Sequence, residues 1–245
     1  MTTLKVNEVF GPTIQGEGPS TGRHCLFIRL SQCNLHCTWC DTPYTWAFTE
    51  NKATQHQSGV QYSVADESHE IETEEVWIML EKLWHMTRIP TTVVISGGEP
   101  MLQQRHLDEL IHKLLAWGHR VEIETAGTIV PTREWSGRVQ FNVSPKLDHS
   151  GNSLLARRNG DALLELARLN SIFKFVVSHP IQYIEVKELI ELGSIPRPNV
   201  WIMPEGTTIE ATRDHAREII HYALDQGWNF TLRSHVIIWG NERAK

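Results

Sequence analysis

The sequence predicts an α/β fold, a partial (βα)6-type barrel carrying one loop insertion. Three observations support this. Short apolar runs rich in β-branched residues alternate with segments of helical periodicity, the pattern of parallel βαβ units. About six such units can be counted, too few for a closed eight-unit barrel. The chain has 245 residues, 40% hydrophobic and 21% charged, which suits a single domain over 1–245 with a full core.

The strand candidates are 26–30, 92–96, 120–124, 139–143, 172–177 and 199–203, each five or six residues long and apolar. Helical periodicity appears over 74–86, where Val76, Trp77, Leu80, Leu83 and Trp84 share a face, and over 104–117, with Leu107, Leu110, Ile111 and Leu114. Further helices are predicted at 161–170, with Asp161 as N-cap, at 181–192, and at 208–226, stopped by Gly227. Residues 47–72 are polar and weakly patterned, a surface insertion ordered over the active site.

Composition excludes several classes. The net charge of −6 gives no bulk attraction for nucleic acid. No run of 18 apolar residues exists, so no membrane span is expected. Met1 to Glu8 lacks the apolar core of a signal peptide. Three of the four cysteines are crowded together, which is no secreted disulfide framework. A reducing cytoplasm is the expected compartment. Among nine tryptophans, Trp39 and Trp46 are placed to pack beside those cysteines.

Cys33, Cys37 and Cys40 form a C-x3-C-x2-C run directly after the strand at 26–30, while Cys25 lies within the strand-like stretch. A closed zinc site needs four ligands. A cubane iron–sulfur cluster normally takes four cysteines, so three leave one iron open for a non-protein ligand. A zinc knuckle completed by His36 or a distant histidine, or a chance grouping of buried cysteines, are the alternatives. A second motif follows the strand at 92–96: Gly97-Gly98-Glu99-Pro100. The glycines would let backbone approach a ligand closely. Glu99 would supply a carboxylate at the strand end. The plainer reading is a strand-to-helix turn opened by Pro100.

Together these motifs resemble the radical S-adenosylmethionine (SAM) superfamily. There the open iron chelates SAM and a GGE motif meets its amino group. More of the chain resembles one family, 7-carboxy-7-deazaguanine synthase. The matching segments are Thr13-Ile-Gln-Gly-Glu-Gly-Pro-Ser-Thr-Gly22, Phe27-Ile-Arg-Leu30, Cys40-Asp-Thr42, Glu124-Thr-Ala-Gly-Thr128, Ser144-Pro-Lys146, Lys174-Phe-Val-Val177, Met203-Pro-Glu-Gly206, Arg233-Ser-His235 and Trp239-Gly240. They span nearly the whole chain in the expected order.

The resemblance implies a radical SAM barrel that contracts 6-carboxy-5,6,7,8-tetrahydropterin to 7-carboxy-7-deazaguanine, with loss of ammonia and regeneration of SAM, on the route to queuosine-type 7-deazapurines. It implies a 4Fe–4S cluster on Cys33, Cys37 and Cys40, and Mg²⁺ on Thr42. Substrate would meet Ile14, Gln15, Gly16, Glu17, Arg29, Ser96 and His235. SAM would meet Trp39, Cys40, Asp41, Gly98, Glu99, Ser144, Pro145, Lys146, Met203, Pro204, Glu205 and Gly206. The residue types suit these roles. Gln15 and Glu17 can pair with a pterin edge. Arg29 offers a fork for the substrate carboxylate, and Thr42 a hard oxygen for Mg²⁺. Taken singly, Arg29 would be a salt-bridged strand arginine, Thr42 a loop-stabilising hydroxyl and His235 a structural histidine. Ala126 departs from the family's Asn or Ser, and Glu242-Arg-Ala-Lys245 from its short tails. An electron donor such as flavodoxin or ferredoxin and a homodimer are also implied. A glycyl-radical-activating enzyme, which shares C-x3-C-x2-C, is the rival enzyme. A zinc or iron–sulfur electron-transfer module is the non-enzymatic alternative.

Overall fold

A computed structural model describes residues 2–84, 89, 91–132, 135 and 137–245. The strands are β1 (Thr3–Ile14), β2 (His24–Leu30), β3 (His69–Glu72), β4 (Thr92–Gly97), β5 (Arg120–Thr125), β6 (Val139–Val143), β7 (Ile172–Val177), β8 (Val200–Pro204) and β9 (Asn229–Phe230). They form one open sheet in the order β3-β1-β2-β4-β5-β6-β7-β8-β9. From β2 to β9 in that order neighbours run parallel. β1 is antiparallel to both β2 and β3. The helices are α1 (Glu50–Ala53), α2 (Val64–Glu67), α3 (Thr73–Trp84), α4 (Gln104–Ala116), α5 (Leu154–Arg157), α6 (Gly160–Arg168), α7 (Tyr183–Leu192), α8 (Ile209–Asp225) and α9 (Ser234–Trp239). The predicted open barrel of parallel strands is therefore present, widened by strands at both edges.

Strand alternation divides the molecule into two faces. Leu26, Ile28 and Leu30 of β2, Val93 and Ile95 of β4, Val121 and Ile123 of β5, and Phe173, Phe175 and Val177 of β7 join one buried core. That core includes Leu107, Leu110, Ile111 and Leu114 of α4 and Val76, Trp77 and Leu80 of α3, the faces read from periodicity. Each such side chain contributes roughly 1.5–3 kcal/mol by leaving water. The alternate residues Phe27, Arg29, Ser96, Glu124, Lys174, Val176 and Met203 turn the other way and line a cavity. This is the period-two geometry of a pleated strand.

The structure corrects several expectations. β1 was not among the predicted strands. Its register slips between Val6 and Glu8 and again between Phe10 and Thr13, and such bulges break the alternation that marks a strand. The insertion at 47–72 holds α1, α2 and β3. His69–Glu72 becomes a strand because it pairs with Thr3–Val6, against its charged composition. The cap of α6 is Asn159, whose side chain accepts from the Ala162 N–H. Asp161 sits within the first turn instead. The helix predicted at 181–192 begins as a 3₁₀ turn over Pro180–Gln182 before α7. The last two residues of the helix expected over 74–86 lie outside the described residues. No described helix is long and apolar enough to cross a membrane.

Candidate active site

The cysteine loop is seated by backbone contact between β2 and β4. Gly98 N–H donates to Leu30 O at 3.0 Å, and Glu99 N–H to Gln32 O at 2.8 Å. A Cβ on Gly98 would stand 2.1 Å from Gln32 O, and one on Gly97, at φ +141°, 2.1 Å from Leu30 O. These glycines therefore permit close strand-to-loop contact.

Each of the three sulfurs meets an N–H donor. Leu35 N–H reaches Cys33 Sγ at 3.4 Å. The Asn152 amide reaches Cys37 Sγ at 3.2 Å, and the Trp46 indole reaches Cys40 Sγ at 3.4 Å. Thr42 Oγ1 lies 3.6 Å from Cys40 Sγ. Burial pushes all three thiols up, Cys40 to about 11. Cys25 is fully buried near the start of β2, away from the loop, its thiol raised by burial to about 12. Three soft donors, each already supplied with a sulfur-directed N–H, fit a cubane cluster with one open iron.

The loop opens onto a cavity of about 620 Å³ at the C-terminal ends of the parallel strands, where barrel folds place their sites. A chain of charges crosses its floor. The Lys174 ammonium, essentially without solvent exposure, donates to Glu17 Oε2 at 2.8 Å and Glu124 Oε2 at 2.7 Å. Arg233 donates from Nε to Glu17 Oε1 at 3.0 Å, from Nη1 to Gly206 O at 2.7 Å, and pairs with Asp41. Gln15 and Asn142 donate to Glu124 Oε1 at 3.1 and 3.0 Å. Burial alone would raise the Glu17 carboxyl, but Lys174 and Arg233 together hold it far below the carboxylate range. Glu124 has Lys174 as its cation and stands near Glu17; burial pushes it up. Burial also raises Asp41, yet Arg233 outweighs this and holds it low. His235 is pushed down by burial.

Most of the predicted site residues meet in this cavity. Ile14, Gln15, Gly16, Glu17, Arg29, Ser96 and His235 line it, as do Trp39, Asp41, Thr42, Gly98, Ser144, Lys146 and Met203 to Gly206. Gly16 is packed on His235: a Cβ there would lie 1.9 Å from the ring Nδ1. Arg29 follows both of its readings. It faces the cavity, and its Nε donates to Glu8 at 2.7 Å. Two predicted residues are not on the wall. Pro145 is absent from the lining. Glu99 is wholly buried beneath it, accepting from Met101 N–H, Thr125 Oγ1–H and Ala126 N–H at 2.7–3.0 Å. Its carboxylate ties β4 to β5.

Sequence reasoning left Glu124, Lys174 and Arg233 without roles, although each lies in a quoted motif. Lysine inside Ile-Phe-Lys-Phe-Val-Val was the available signal: a cation in an apolar strand marks an inward, partnered charge. Asn152 carried no signal. Residues 240–245 also line the cavity, with the Arg243 guanidinium 3.8 Å from the Tyr44 ring centre and paired with Glu67 of α2.

An open parallel barrel with a three-thiol loop at its mouth defines a radical SAM-type enzyme. Residues 14–130 match the family model described as a 4Fe-4S single cluster domain. The chain is 34% identical over 244 residues to the 7-carboxy-7-deazaguanine synthase of Pyrobaculum aerophilum, covering 99% of this chain and 97% of that one. The crystal structure of QueE from Escherichia coli superimposes with a TM-score of 0.69 at 25% identity, covering 95% of both chains. A Streptococcus suis SuiB structure bound to S-adenosylmethionine shares the fold alone, with a TM-score of 0.53 at 13% identity over 82% of this chain and 48% of that one. The chain belongs to the 7-carboxy-7-deazaguanine synthase family.

Proposed function

We propose that this chain contracts 6-carboxy-5,6,7,8-tetrahydropterin to 7-carboxy-7-deazaguanine with loss of ammonia. One observation carries the reading: the three-thiol loop and the Glu17–Lys174–Glu124 charge chain line a single cavity. Cys33, Cys37 and Cys40 would hold a 4Fe–4S cluster. With SAM at its open iron, that group supplies a radical through reductive cleavage of SAM.

The chain's own residues bind and orient. The cavity has the size of a small-molecule site. Glu17 is anionic at neutral pH, and Glu124 keeps its hydrogen bonds to Lys174, Gln15 and Asn142. These carboxylates suit the N–H donors of a 2-aminopyrimidin-4-one edge. Arg29 also lines the wall and offers Nη donors to a carboxylate while Glu8 holds its Nε. The Thr42 hydroxyl, next to the last cysteine ligand, would join substrate oxygens and water around Mg²⁺. Trp39, Asp41, Gly98, Ser144, Lys146 and Met203 to Gly206 form the SAM side, with Lys146 Nζ donating to Ser144 Oγ at 2.9 Å and lying 5.7 Å from the Trp39 ring centre. Glu99 acts through the β4–β5 connection beneath. A one-electron donor of the flavodoxin or ferredoxin type and a homodimeric assembly belong to the same reading.

A glycyl-radical-activating enzyme needs a groove for a partner loop. Here the insertion residues Gln57, Ser58 and Tyr62 and the segment 240–245 border the cavity, which favours a small substrate. The test is anaerobic incubation of the reconstituted protein with SAM, reductant, Mg²⁺ and the carboxypterin. Product mass and absorbance should appear with SAM conserved over many turnovers. Cleavage of SAM without any deazaguanine product would refute the assignment.

A further inference from the structure

We propose that Asn152 sets the reduction potential of the cluster through a hydrogen bond to the Cys37 sulfur; this rests on Cys33, Cys37 and Cys40 holding a 4Fe–4S centre. The segment after β6 packs against the outer side of the cysteine loop. Thr38 N–H donates to Ser150 O at 3.0 Å, and the Trp39 indole to His149 O at 3.2 Å. Within this bracket the Asn152 carboxamide bridges two points of the loop. Its Oδ1 accepts from His36 N–H at 2.8 Å, and its Nδ2 lies 3.2 Å from Cys37 Sγ.

The orientation of that amide is decided by chemistry. A backbone N–H can only donate, so the carbonyl end must face His36 and the NH₂ end must face sulfur. The second amide hydrogen has Ser150 Oγ at 3.2 Å. Asn152 is itself held. Its N–H donates to Ser150 Oγ at 3.4 Å, and its carbonyl accepts from Arg157 Nε at 3.3 Å. The Arg157 guanidinium is buried, pairs with Glu185 and Asp148, and donates to Lys146 O. The amide is therefore anchored from behind.

Of the three N–H donors to sulfur, one is a backbone N–H and one a large indole packed in the core. Asn152 is the compact side-chain amide. An electron added to the cluster raises the negative charge on its sulfurs. An N–H aimed at one of them stabilises the reduced form more than the oxidised form, and such bonds help set cluster potentials. Removing the donor should make the cluster harder to reduce. Asn152 is thus a positioning residue that acts through Cys37.

The test is an EPR-monitored redox titration of the anaerobically reconstituted protein, with iron content measured in parallel. The parent must first show a 4Fe–4S signal; without one, the cluster assignment fails, separately from any role of Asn152. Asn152→Ala should keep its iron and shift to a more negative potential. Asn152→Asp retains the Oδ1 acceptor for His36 N–H while losing the sulfur donor, and should shift in the same direction. Asn34→Ala serves as the control. It removes another amide of the same loop, which donates to Thr128 Oγ1 at 2.9 Å, and should leave the potential at the parent value. Parent-like potentials in both Asn152 variants would overturn the proposal. So would an equal shift in Asn34→Ala, which would mean general loosening of the loop. Loss of cluster from both Asn152 variants would also overturn it, leaving Asn152 as an anchor only.

Discussion

Lys174→Met is the sharpest perturbation of the cavity floor. The ammonium is essentially unexposed and stands 2.8 and 2.7 Å from two carboxylates. Methionine fills a similar volume, so the loss is electrostatic. Removing one partner of a buried pair costs about 3–5 kcal/mol, because the other charge is left uncompensated. Here Glu124 loses its cation while Glu17 keeps Arg233. One kcal/mol moves the midpoint of a chain this size by roughly 2–4 °C. Lys174→Met should therefore unfold about 6–20 °C below the parent at pH 8, followed by circular dichroism. The sign of the pH dependence follows from Glu124. Without Lys174, burial raises its folded pKa further above the unfolded value, so the folded state takes up a proton as pH falls. The deficit should narrow between pH 8 and pH 5. Lys174→Met with Glu124→Gln should recover much of the loss. A midpoint within 2 °C of the parent at pH 8, or a deficit that widens on acidification, would refute the claim that this charge chain is buried and coupled.

Other substitutions probe single roles. Anaerobically reconstituted Cys37→Ala should lose its cluster while Cys25→Ala keeps it, read by iron content and absorbance; an active cluster in the Cys37 variant would remove the three-cysteine assignment. Arg29→Ala should weaken carboxypterin binding by about 2–5 kcal/mol, roughly thirty- to several-thousand-fold, and leave SAM binding unchanged. Arg29→Lys should also suffer, since an ammonium lacks the planar fork; parent-like affinity in Arg29→Ala would make the residue structural. Thr42→Ala should raise the Mg²⁺ concentration needed for turnover while permitting uncoupled SAM cleavage, and superimposable Mg²⁺ titrations would argue against it.

The parallel barrel and the cavity wall were legible because both are written as patterns. Six apolar runs alternating with amphipathic helices specify parallel strands, and the motif residues fall at the strand ends. β1 escaped notice because the register slip between Val6 and Glu8 moves the core-facing position from the even residues Leu4 and Val6 to the odd residue Val9, while Phe10 lines the cavity. β3 escaped because Glu70 and Glu72 contradict strand composition, and only pairing with β1 makes it a strand. A carboxylate beside two glycines looks available to a ligand; two of the three hydrogen bonds that bury Glu99, from Thr125 and Ala126, exist only once β5 is alongside. The Lys174 clamp and the Asn152 bridge join residues far apart in the chain. Their partners lie 157 and 115 positions away for the Glu17 and Cys37 contacts, and no local spacing encodes such pairs.

The two-faced strands have a consequence for how the chain finds its register. A one-residue slip in β7 would exchange Phe173, Phe175 and Val177 for Lys174 and Val176. An ammonium would then enter the apolar layer under the helices, without either carboxylate. A side-chain period of two makes every such slip swap whole faces, and an unpaired buried charge costs several kcal/mol. The same holds in β5, where a slip would carry Glu122 and Glu124 into the core in place of Val121 and Ile123. The charges on the strand face opposite that core therefore act during folding as register keys. A variant made wholly apolar at 122, 124 and 174 would lose this discrimination between correct and shifted strand pairings, quite apart from its chemistry.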